Sequence, residues 1–439
     1  MIQSRSNARV VIVVVMASLL LCACEREPAR DATRTRLEVW AHAGQESERH
    51  TLLAQVERFN RRQDTIHVDL TFVPEGTYNA QIQAAAVAGD LPDLLEFDGP
   101  FLYTYVWQGH LLPLEGLLSE TVRQDLLPSI IEQGTYHGRL YSVGTFDSGL
   151  ALYANRRLLE QIGARIPASP RQAWTAAEFS MLLAKLAQDD ADGAVLDLKL
   201  NYAGEWYTYA FSPFIQSAGG DLIDRKTYMR ASGALNSAAS VSALTTLQSW
   251  IVRGYVDPNI DDAAFVSGRV ALALGGHWNY SAYAAALGER LVLLPLPDFG
   301  HGAKTGQGSW NWGITGHCAA PQAAATFLEF LLTPDEVLAM AEASGAVPGT
   351  RRAVARSSRY HKGGPLRLFV EQLVGGHAVP RPRTPAYPLL TSLFQQAFDR
   401  IRSGGDVRPV LDRAAAEIDD EIEDNKGYPW IEPVRRAKQ

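Results

Sequence analysis

Cysteine is scarce in this chain of 439 residues, which contains only three. Two of them, Cys22 and Cys24, fall in one short segment near the N-terminus. If that segment is removed or modified, Cys318 is the single thiol left and no disulfide can form within the chain. Burial of apolar side chains must then stabilise the fold. The length permits two or three domains, and 46% hydrophobic and 20% charged residues are ordinary values for a soluble globular protein.

Basic residues are not in excess either. The chain has 41 Lys and Arg against 48 Asp and Glu, and its net charge is −7. A surface that binds nucleic-acid phosphates needs an excess of positive charge, so this class of partner is excluded. We find neither an internal repeat of fixed period nor a low-complexity domain.

The apolar run from Val10 to Leu21 is too short to span a bilayer comfortably. Arg5 and Arg9 precede it, which is the layout of a secretory signal. The run ends in Leu21-Cys-Ala-Cys24, which resembles the lipobox of bacterial lipoproteins, although a cysteine at the second position is less usual there. We predict a signal peptide at 1–23, a lipid anchor at Cys24 and a polar tether at 24–36. The protein would be exported and anchored on the outer face of the cytoplasmic membrane or in the periplasm; a plain cleaved signal peptide is the alternative.

Hydrophobic patterns after the tether alternate between strand and helix. Strands are predicted at Leu37–Trp40, Ile66–Val73 and Leu94–Phe97, a helix from Glu46, and an alanine-rich helix at Tyr78–Ala88. This order indicates a parallel α/β lobe whose ligand-facing residues lie at the carboxyl ends of the strands. The residues at those ends are Trp40, His42 and Asp98.

Further elements follow the same patterns. The predicted ones are a helix at Ala238–Val252, a strand at Leu291–Leu296, and helices at Pro321–Leu332 and Pro334–Ala343.

The segment 306–314, Gly-Gln-Gly-Ser-Trp-Asn-Trp-Gly-Ile, places two indoles between glycines. If it is one strand, Trp310 and Trp312 point to the same side. Two such indoles form either part of the core or a platform on which the C–H face of a sugar can pack. The local pattern leaves both interpretations open.

Two segments resemble ligand-binding motifs but lack residues that those motifs require. Asp189–Gly193 resembles part of a calcium loop, but Gln188 and Lys199 occupy positions where carboxylates are required. The glycine-rich loop 300–306 lacks the Gly-Lys-Ser/Thr ending of a phosphate-binding loop. Since no His, Cys and Asp cluster has metal-ligand spacing, neither a metal nor another cofactor is predicted.

Seven short pieces in order make the chain similar to family 1 extracellular solute-binding proteins, the carbohydrate-binding components of bacterial ABC importers. The resemblance covers roughly residues 36 to 430. The pieces are Phe59-Asn60 leading into Ile66–Val68, Ala88–Asp93, Gly138–Tyr141, Leu152–Asn155, Trp174–Phe179, Ser217–Gly220 and Phe265–Arg269. One departure is Tyr153-Ala154, where the family usually has Tyr-Asn or Tyr-Tyr, and it concerns packing more than ligand chemistry.

The likeness is greatest to the trehalose- and maltose-binding branch, and it implies a set of sugar-binding residues. These are Glu46 in the first βα loop, Asp98 after the third strand, Asp147 before the first crossover strand, Trp278 and Tyr280 of a Trp-x-Tyr pair, Gly308 and Trp310 of a Gly-x-Trp, and Arg381 in Val-Pro-Arg-Pro. Further candidates are Trp40, His42 and Trp312. The carboxylates would accept hydroxyl hydrogens, the arginine would donate, and the aromatic rings would stack on the sugar. Glu46 could instead stabilise its helix by lying in the first turn.

The resemblance also implies architecture and partners. It predicts an α/β, two-lobed periplasmic-binding-protein fold of the type II kind, with 37–146 and 306–350 in one lobe and 147–305 and 351–433 in the other. A monomer would bind a di- or oligosaccharide in the cleft, with an α-glucoside such as trehalose or maltose as the favoured ligand, and deliver it to the transmembrane subunits of an ABC permease. No enzymatic activity is predicted. The alternatives are a binding protein for a non-sugar solute and a glycoside hydrolase that uses Asp98 and Asp147 as its acid/base pair.

Overall fold

The computed structural model describes residues 34–308 and 310–430. The predicted signal peptide, the lipidation site Cys24 and most of the predicted tether lie outside the described residues. So do residues 431–433 at the end of the predicted second lobe. Elements are numbered in chain order.

Four strands form the first sheet, in the order β12-β3-β1-β2. They are β1 (Thr35–His42), β2 (Ile66–Val73), β3 (Leu94–Asp98) and β12 (Trp310–Ile314). Strand β1 is parallel to β2 and β3, while β12 returns antiparallel to β3. The parallel lobe predicted from the alternation of strands and helices is therefore confirmed, with a late strand added at its edge.

Four other strands form the second sheet, in the order β10-β7-β9-β8. They are β7 (Leu150–Asn155), β8 (Leu196–Asp197), β9 (Leu272–Gly276) and β10 (Leu291–Leu294). Strand β7 is antiparallel to both of its neighbours, and β8 is parallel to β9.

Short strand pairs accompany the two sheets. β6 (Phe146–Asp147) pairs antiparallel with β13 (Val347–Pro348), and β11 (Thr305–Gln307) pairs parallel with β14 (Ala378–Pro380). A third pair is formed by β4 (Thr135–Tyr136) and β5 (Arg139–Leu140). The chain thus leaves the region of the first sheet after β6, comes back between β11 and β12, and leaves it again after β13.

Helices cover both sheets. In the described part of the chain they are α1 (Glu46–Arg62), α2 (Tyr78–Ala88), α3 (Leu102–Trp107), α4 (Glu120–Asp125), α5 (Pro128–Gly134), α6 (Arg156–Gln161), α7 (Ala176–Gln188), α8 (Glu205–Ser217), α9 (Ala238–Val252), α10 (Tyr280–Leu287), α11 (Pro321–Leu331), α12 (Pro334–Ser344), α13 (Arg351–Arg356), α14 (Arg367–Val374), α15 (Tyr387–Arg402) and α16 (Val407–Asp424). The predicted bounds of β2, α2 and α9 are confirmed.

The segment 306–314 is not one strand. Its first part belongs to β11, which pairs with β14, and its second part is β12 of the first sheet. The break falls at Gly308, where an added Cβ would lie 2.6 Å from a guanidinium nitrogen of Arg381. A side chain at this position would force the buried Arg381 guanidinium to move.

The core contains three clusters of buried side chains. One lies against the first sheet and includes Val39 and Trp312, and another lies against the second sheet and includes Tyr153. The largest runs from Phe97 of the first sheet to Phe211 of α8, on the side of the second sheet. The half of the protein around the first sheet and the half around the second sheet therefore share continuous apolar packing in this conformation.

Candidate functional site

Arg381 forms an ion pair between the two halves of the protein. Arg381 follows β14, and Asp98 ends β3 at the carboxyl edge of the first sheet. The Arg381 guanidinium donates from Nη1 to Asp98 Oδ2 at 2.7 Å and from Nη2 to Asp98 Oδ1 at 2.5 Å. The pair is bidentate and almost buried, because the Arg381 side chain is 5% and the Asp98 side chain 14% exposed. Two predicted site residues that are 283 positions apart are thus brought together.

A second carboxylate shares the same arginine. Glu205 opens α8, and its Oε2 accepts from Arg381 Nη1 at 2.9 Å and from the Tyr387 hydroxyl. Burial raises the pKa of Glu205, and the positive charge of Arg381 opposes part of that rise. Sequence reasoning missed Glu205. Its local signal, an acidic residue opening an otherwise apolar helix after Gly204, is also that of an ordinary helix start.

Aromatic rings line the region beside this arginine. The Arg381 guanidinium lies 5.2 Å from the centre of the Tyr209 ring, which is a cation–π distance. Trp278 follows, with ring centroids 6.3 Å from Tyr209 and 6.2 Å from Trp206. The Trp278 indole lies over Gly276, where an added Cβ would be 2.1 Å from the ring. Trp278 is partly exposed.

Contact between the halves continues at the first βα loop. The Gln45 side-chain amide donates to the backbone carbonyl of Trp278 at 3.4 Å. Glu46, the next residue, is exposed in the first turn of α1, whereas Glu48 turns inward and accepts from the backbone N–H of Gln45 at 3.1 Å. The two interpretations of Glu46, ligand contact and helix start, both remain predictions.

The two indoles of β12 have different surroundings. Trp312 is 2% exposed and belongs to the core cluster of the first sheet. Trp310 is partly exposed and stacks on His42, with ring centroids 3.8 Å apart and planes within 1°. The Tyr78 ring meets Trp310 edge-on at 5.3 Å. The segment therefore offers one accessible indole rather than a platform of two.

Two carboxylates hold His42. Its Nδ1 lies 2.7 Å from Glu96 Oε2, and its Nε2 lies 3.6 Å from Glu48 Oε2. Burial lowers the pKa of His42, but the charges and hydrogen bonds of these two carboxylates outweigh it and raise the pKa to about 10. The imidazole is therefore a cation at neutral pH.

Asp147 is completely buried in β6. Its Oδ1 accepts from the Gln133 side chain at 3.1 Å and from the Ser148 backbone N–H at 2.7 Å. Burial raises the pKa of Asp147 to about 6, against the smaller opposing effect of hydrogen bonds from Ser129, Ser148, Gln133 and Gln307. The neighbouring Ser148 hydroxyl lies 2.8 Å from the Tyr209 hydroxyl, which connects this segment to the aromatic rings beside Arg381.

The remaining predicted residues take less central positions. Tyr280 begins α10 and packs, partly buried, against the core cluster of the second sheet. Trp40, in the middle of β1, packs partly buried against the largest core cluster.

Neither a metal site nor a membrane-spanning helix is found among the described residues. Within 34–308 and 310–430, no group of three or more His, Cys, Asp or Glu side chains is arranged to hold a metal ion. None of the helices over the same ranges has both the length and the apolar character needed to cross a membrane.

Comparison with known proteins decides the family. Residues 54–364 match the family described as bacterial extracellular solute-binding protein. The chain belongs to this family. A curated relative, an uncharacterized lipoprotein in the oleD 5′ region of Streptomyces antibioticus, is 21% identical over 358 residues, which are 79% of this solute-binding protein and 78% of the relative.

Solved structures share the fold of this solute-binding protein. The cyclic α-maltosyl-1,6-maltose binding protein of Arthrobacter globiformis is 23% identical, with a TM-score of 0.73 over 89% of this chain and 100% of its own. The GacH receptor of Streptomyces glaucescens, whose structures include complexes with acarbose, is also 23% identical, with a TM-score of 0.73 over 89% of this chain and 98% of its own. A solute-binding protein of Thermotoga lettingae bound to α-D-tagatose reaches 0.75 at 23% identity, over 88% and 99%. The predicted two-lobed α/β fold is therefore confirmed.

Proposed function

We propose that this solute-binding protein is the substrate-binding lipoprotein of a carbohydrate ABC importer. It would capture a di- or oligosaccharide between its lobes and deliver it to the permease. The observation that carries this proposal is the network in which Arg381 binds Asp98 from the first sheet and Glu205 from the second half, next to partly exposed indoles. Similar folds in other species bind maltose-type oligosaccharides and acarbose, which supports a sugar of this class.

The polar groups match the chemistry of a sugar. Each sugar hydroxyl offers one donor and two acceptors. Asp98 and Glu205 would accept hydroxyl hydrogens, and Arg381 would donate to hydroxyl or ring oxygens while balancing the two carboxylates. Asp147 and Glu46 are further acceptor candidates, and Gly308 allows Arg381 to approach the backbone.

The aromatic groups would supply the apolar part of the contact. Trp278, Trp310 and Tyr280 would pack on the C–H faces of the sugar rings. An α-glucoside such as maltose or trehalose is our first choice of ligand, because the sugars bound by relatives with this fold include maltose.

Closure of the lobes would couple binding to delivery. We place the first lobe at 37–146 and 306–350 and the second at 147–305 and 351–433, with crossings near 146, 305 and 350. A sugar that touches Asp98 on one lobe and Arg381 on the other stabilises the closed form. The permease would recognise that form, while a lipid at Cys24 would keep the protein at the membrane.

Calorimetric titration of the protein lacking residues 1–24 tests this proposal. Trehalose, maltose, sucrose and longer α-glucans form the panel. We expect one of them to bind with a change in tryptophan fluorescence. Absence of binding across the panel would refute the α-glucoside assignment, and release of glucose on prolonged incubation would show a hydrolase instead.

A further inference from the structure

The back of the Trp310 indole is covered by a charged ring. His42 and Trp310 are parallel, and at 3.8 Å between ring centroids they are in direct stacking contact. His42 is 7% exposed, so it is shielded by the protein, whereas Trp310 keeps part of its surface exposed. A ligand can therefore reach Trp310 only on the part that His42 does not cover.

A carboxylate lies beside each nitrogen of the His42 ring, and the one beside Nδ1 is within hydrogen-bond distance. Glu96 on β3 lies 2.7 Å from Nδ1 and also accepts from the His42 backbone N–H at 3.2 Å. Glu48 on α1 lies 3.6 Å from Nε2. Glu96 can accept a hydrogen bond from a protonated Nδ1, and the negative charge of Glu48, at ion-pair distance from Nε2, favours a proton on that nitrogen as well.

Other charged and titratable groups close to this pair are accounted for. Arg49 on α1 donates to the backbone carbonyls of Ala43 and Gly44, at 2.9 and 2.7 Å. The Tyr78 hydroxyl donates to the backbone carbonyl of Glu96. His277 lies near Glu48, but burial lowers the pKa of His277 to about 4, so this ring is neutral at pH 7.

We infer that His42 is a positioning residue, whose imidazolium, clamped between Glu96 and Glu48, holds the Trp310 indole from behind in the orientation that stacks on the ligand. This inference rests on the proposed function. A cation on an indole face is attracted by the ring electrons, and the attraction grows where water is excluded. Without the cation the indole gains freedom, and ligand binding must then restrict it at a cost in affinity.

Nitrogen-15 NMR of the histidine rings tests the clamp without any sugar. At pH 8 we expect both nitrogens of His42 to be protonated, and the indole N–H signal of Trp310, assigned by its loss in Trp310→Phe, to shift as the pH passes about 10. Glu48→Gln removes one of the two carboxylates, so the shift should move to lower pH. A neutral His42 ring at pH 8, or an indole signal that ignores His42 titration, would overturn the inference.

Maltose titration of the variants tests the effect on binding. His42→Gln should weaken binding about three- to thirtyfold, as expected for the loss of a buried cation–π contact. Because that variant leaves Glu96 without its partner, Glu48→Gln serves as the milder substitution and should weaken binding by a smaller factor. The matched control is His50→Gln, which changes an exposed histidine on α1, the helix that carries Glu48, and should bind as the wild type does.

The two proposals fail in different ways. If neither maltose nor the other α-glucans bind the wild type, the α-glucoside proposal fails and the NMR result alone decides the role of His42. If maltose binds the wild type and His42→Gln with equal affinity, the positioning role is refuted while the sugar proposal stands.

Discussion

Two aspartates among the described residues are completely buried, and the protein compensates their charges differently. Asp197, in β8 of the second sheet, pairs with Lys199 at 2.7 Å and accepts from the Asn259 amide at 2.6 Å. Asp147, in β6 between the two sheets, accepts hydrogen bonds from neutral donors and has no ion pair among the described residues.

This difference separates a structural carboxylate from a candidate functional one. A buried carboxylate that is neutralised by a cation of the protein needs no group from outside. A buried carboxylate without an opposite charge lowers stability, which is the cost expected at a site kept for function. Ser148, the residue next to Asp147, contacts the hydroxyl of Tyr209, the ring over which Arg381 lies.

The largest expected effect is on stability, and it comes from removing the cation that pairs with Asp197. Lys199→Met should lower the free energy of unfolding by about 3–5 kcal/mol, because it leaves Asp197 buried and unpaired. Urea denaturation measures the loss. Lys362→Met, which changes an exposed lysine in the same way, is the control and should change stability by less than about 0.5 kcal/mol. Equal effects of the two substitutions would show that the Lys199 pair is not structural.

Asp147→Asn should have the opposite effect and raise the free energy of unfolding at pH 7. The folded-state pKa of about 6 exceeds the ordinary value of 3.8, so folding favours the protonated form and wild-type stability falls as the pH rises from about 4 to 6. The variant avoids this loss and should be more stable than the wild type by roughly 2–3 kcal/mol at pH 7, with little difference near pH 4. Denaturation at both pH values tests this, and a destabilised variant at pH 7 would contradict it. If Asp147 serves the ligand, the same variant should bind sugar more weakly.

Trp310 should contribute to sugar binding but not to folding. We expect sugar binding by Trp310→Ala to weaken by about 1–3 kcal/mol while the fold is retained, because the indole is partly exposed. Calorimetry gives the affinity and circular dichroism the fold. Trp107→Ala, a partly exposed indole outside the candidate site, is the control. An unchanged dissociation constant would place Trp310 outside the ligand site.

Glu205→Gln should have the smallest effect on stability. It removes one of the two negative charges around Arg381 but keeps an oxygen that can accept from Arg381 and Tyr387. Since burial raises the pKa of Glu205, the neutral amide should be tolerated, with a change within about 1 kcal/mol. A loss of stability as large as that of Lys199→Met would show that Glu205 is a structural carboxylate, as Asp197 is.

Two of the predicted site residues follow from the sequence pattern or from the family resemblance. Asp98 ends a strand of the predicted parallel sheet, which is where such sheets present ligand groups, and the resemblance added Arg381. The structure brings these two side chains together. The sequence did not predict Glu205 and Glu96 as candidates, because their contacts are with Arg381 and His42 from other parts of the chain and leave no local pattern.

The two tryptophans of β12 show the same limit. Alternation along a strand is a local property, so it correctly marked this segment as special but could not say which indole the core would bury. That depended on what packs against each ring, with His42 behind Trp310 and an apolar cluster around Trp312.

The sequence by itself determined the order of strands and helices in the first half, because periodicity and turn residues act over a few positions. It also determined the family, since short pieces in a fixed order identify it. Only the tertiary structure decided which carboxylates share Arg381, which aspartate has a cation, and where the 306–314 segment breaks between two sheets. Those outcomes depend on contacts between residues far apart in the chain, and the energy of such contacts exists only once the fold has brought the groups together.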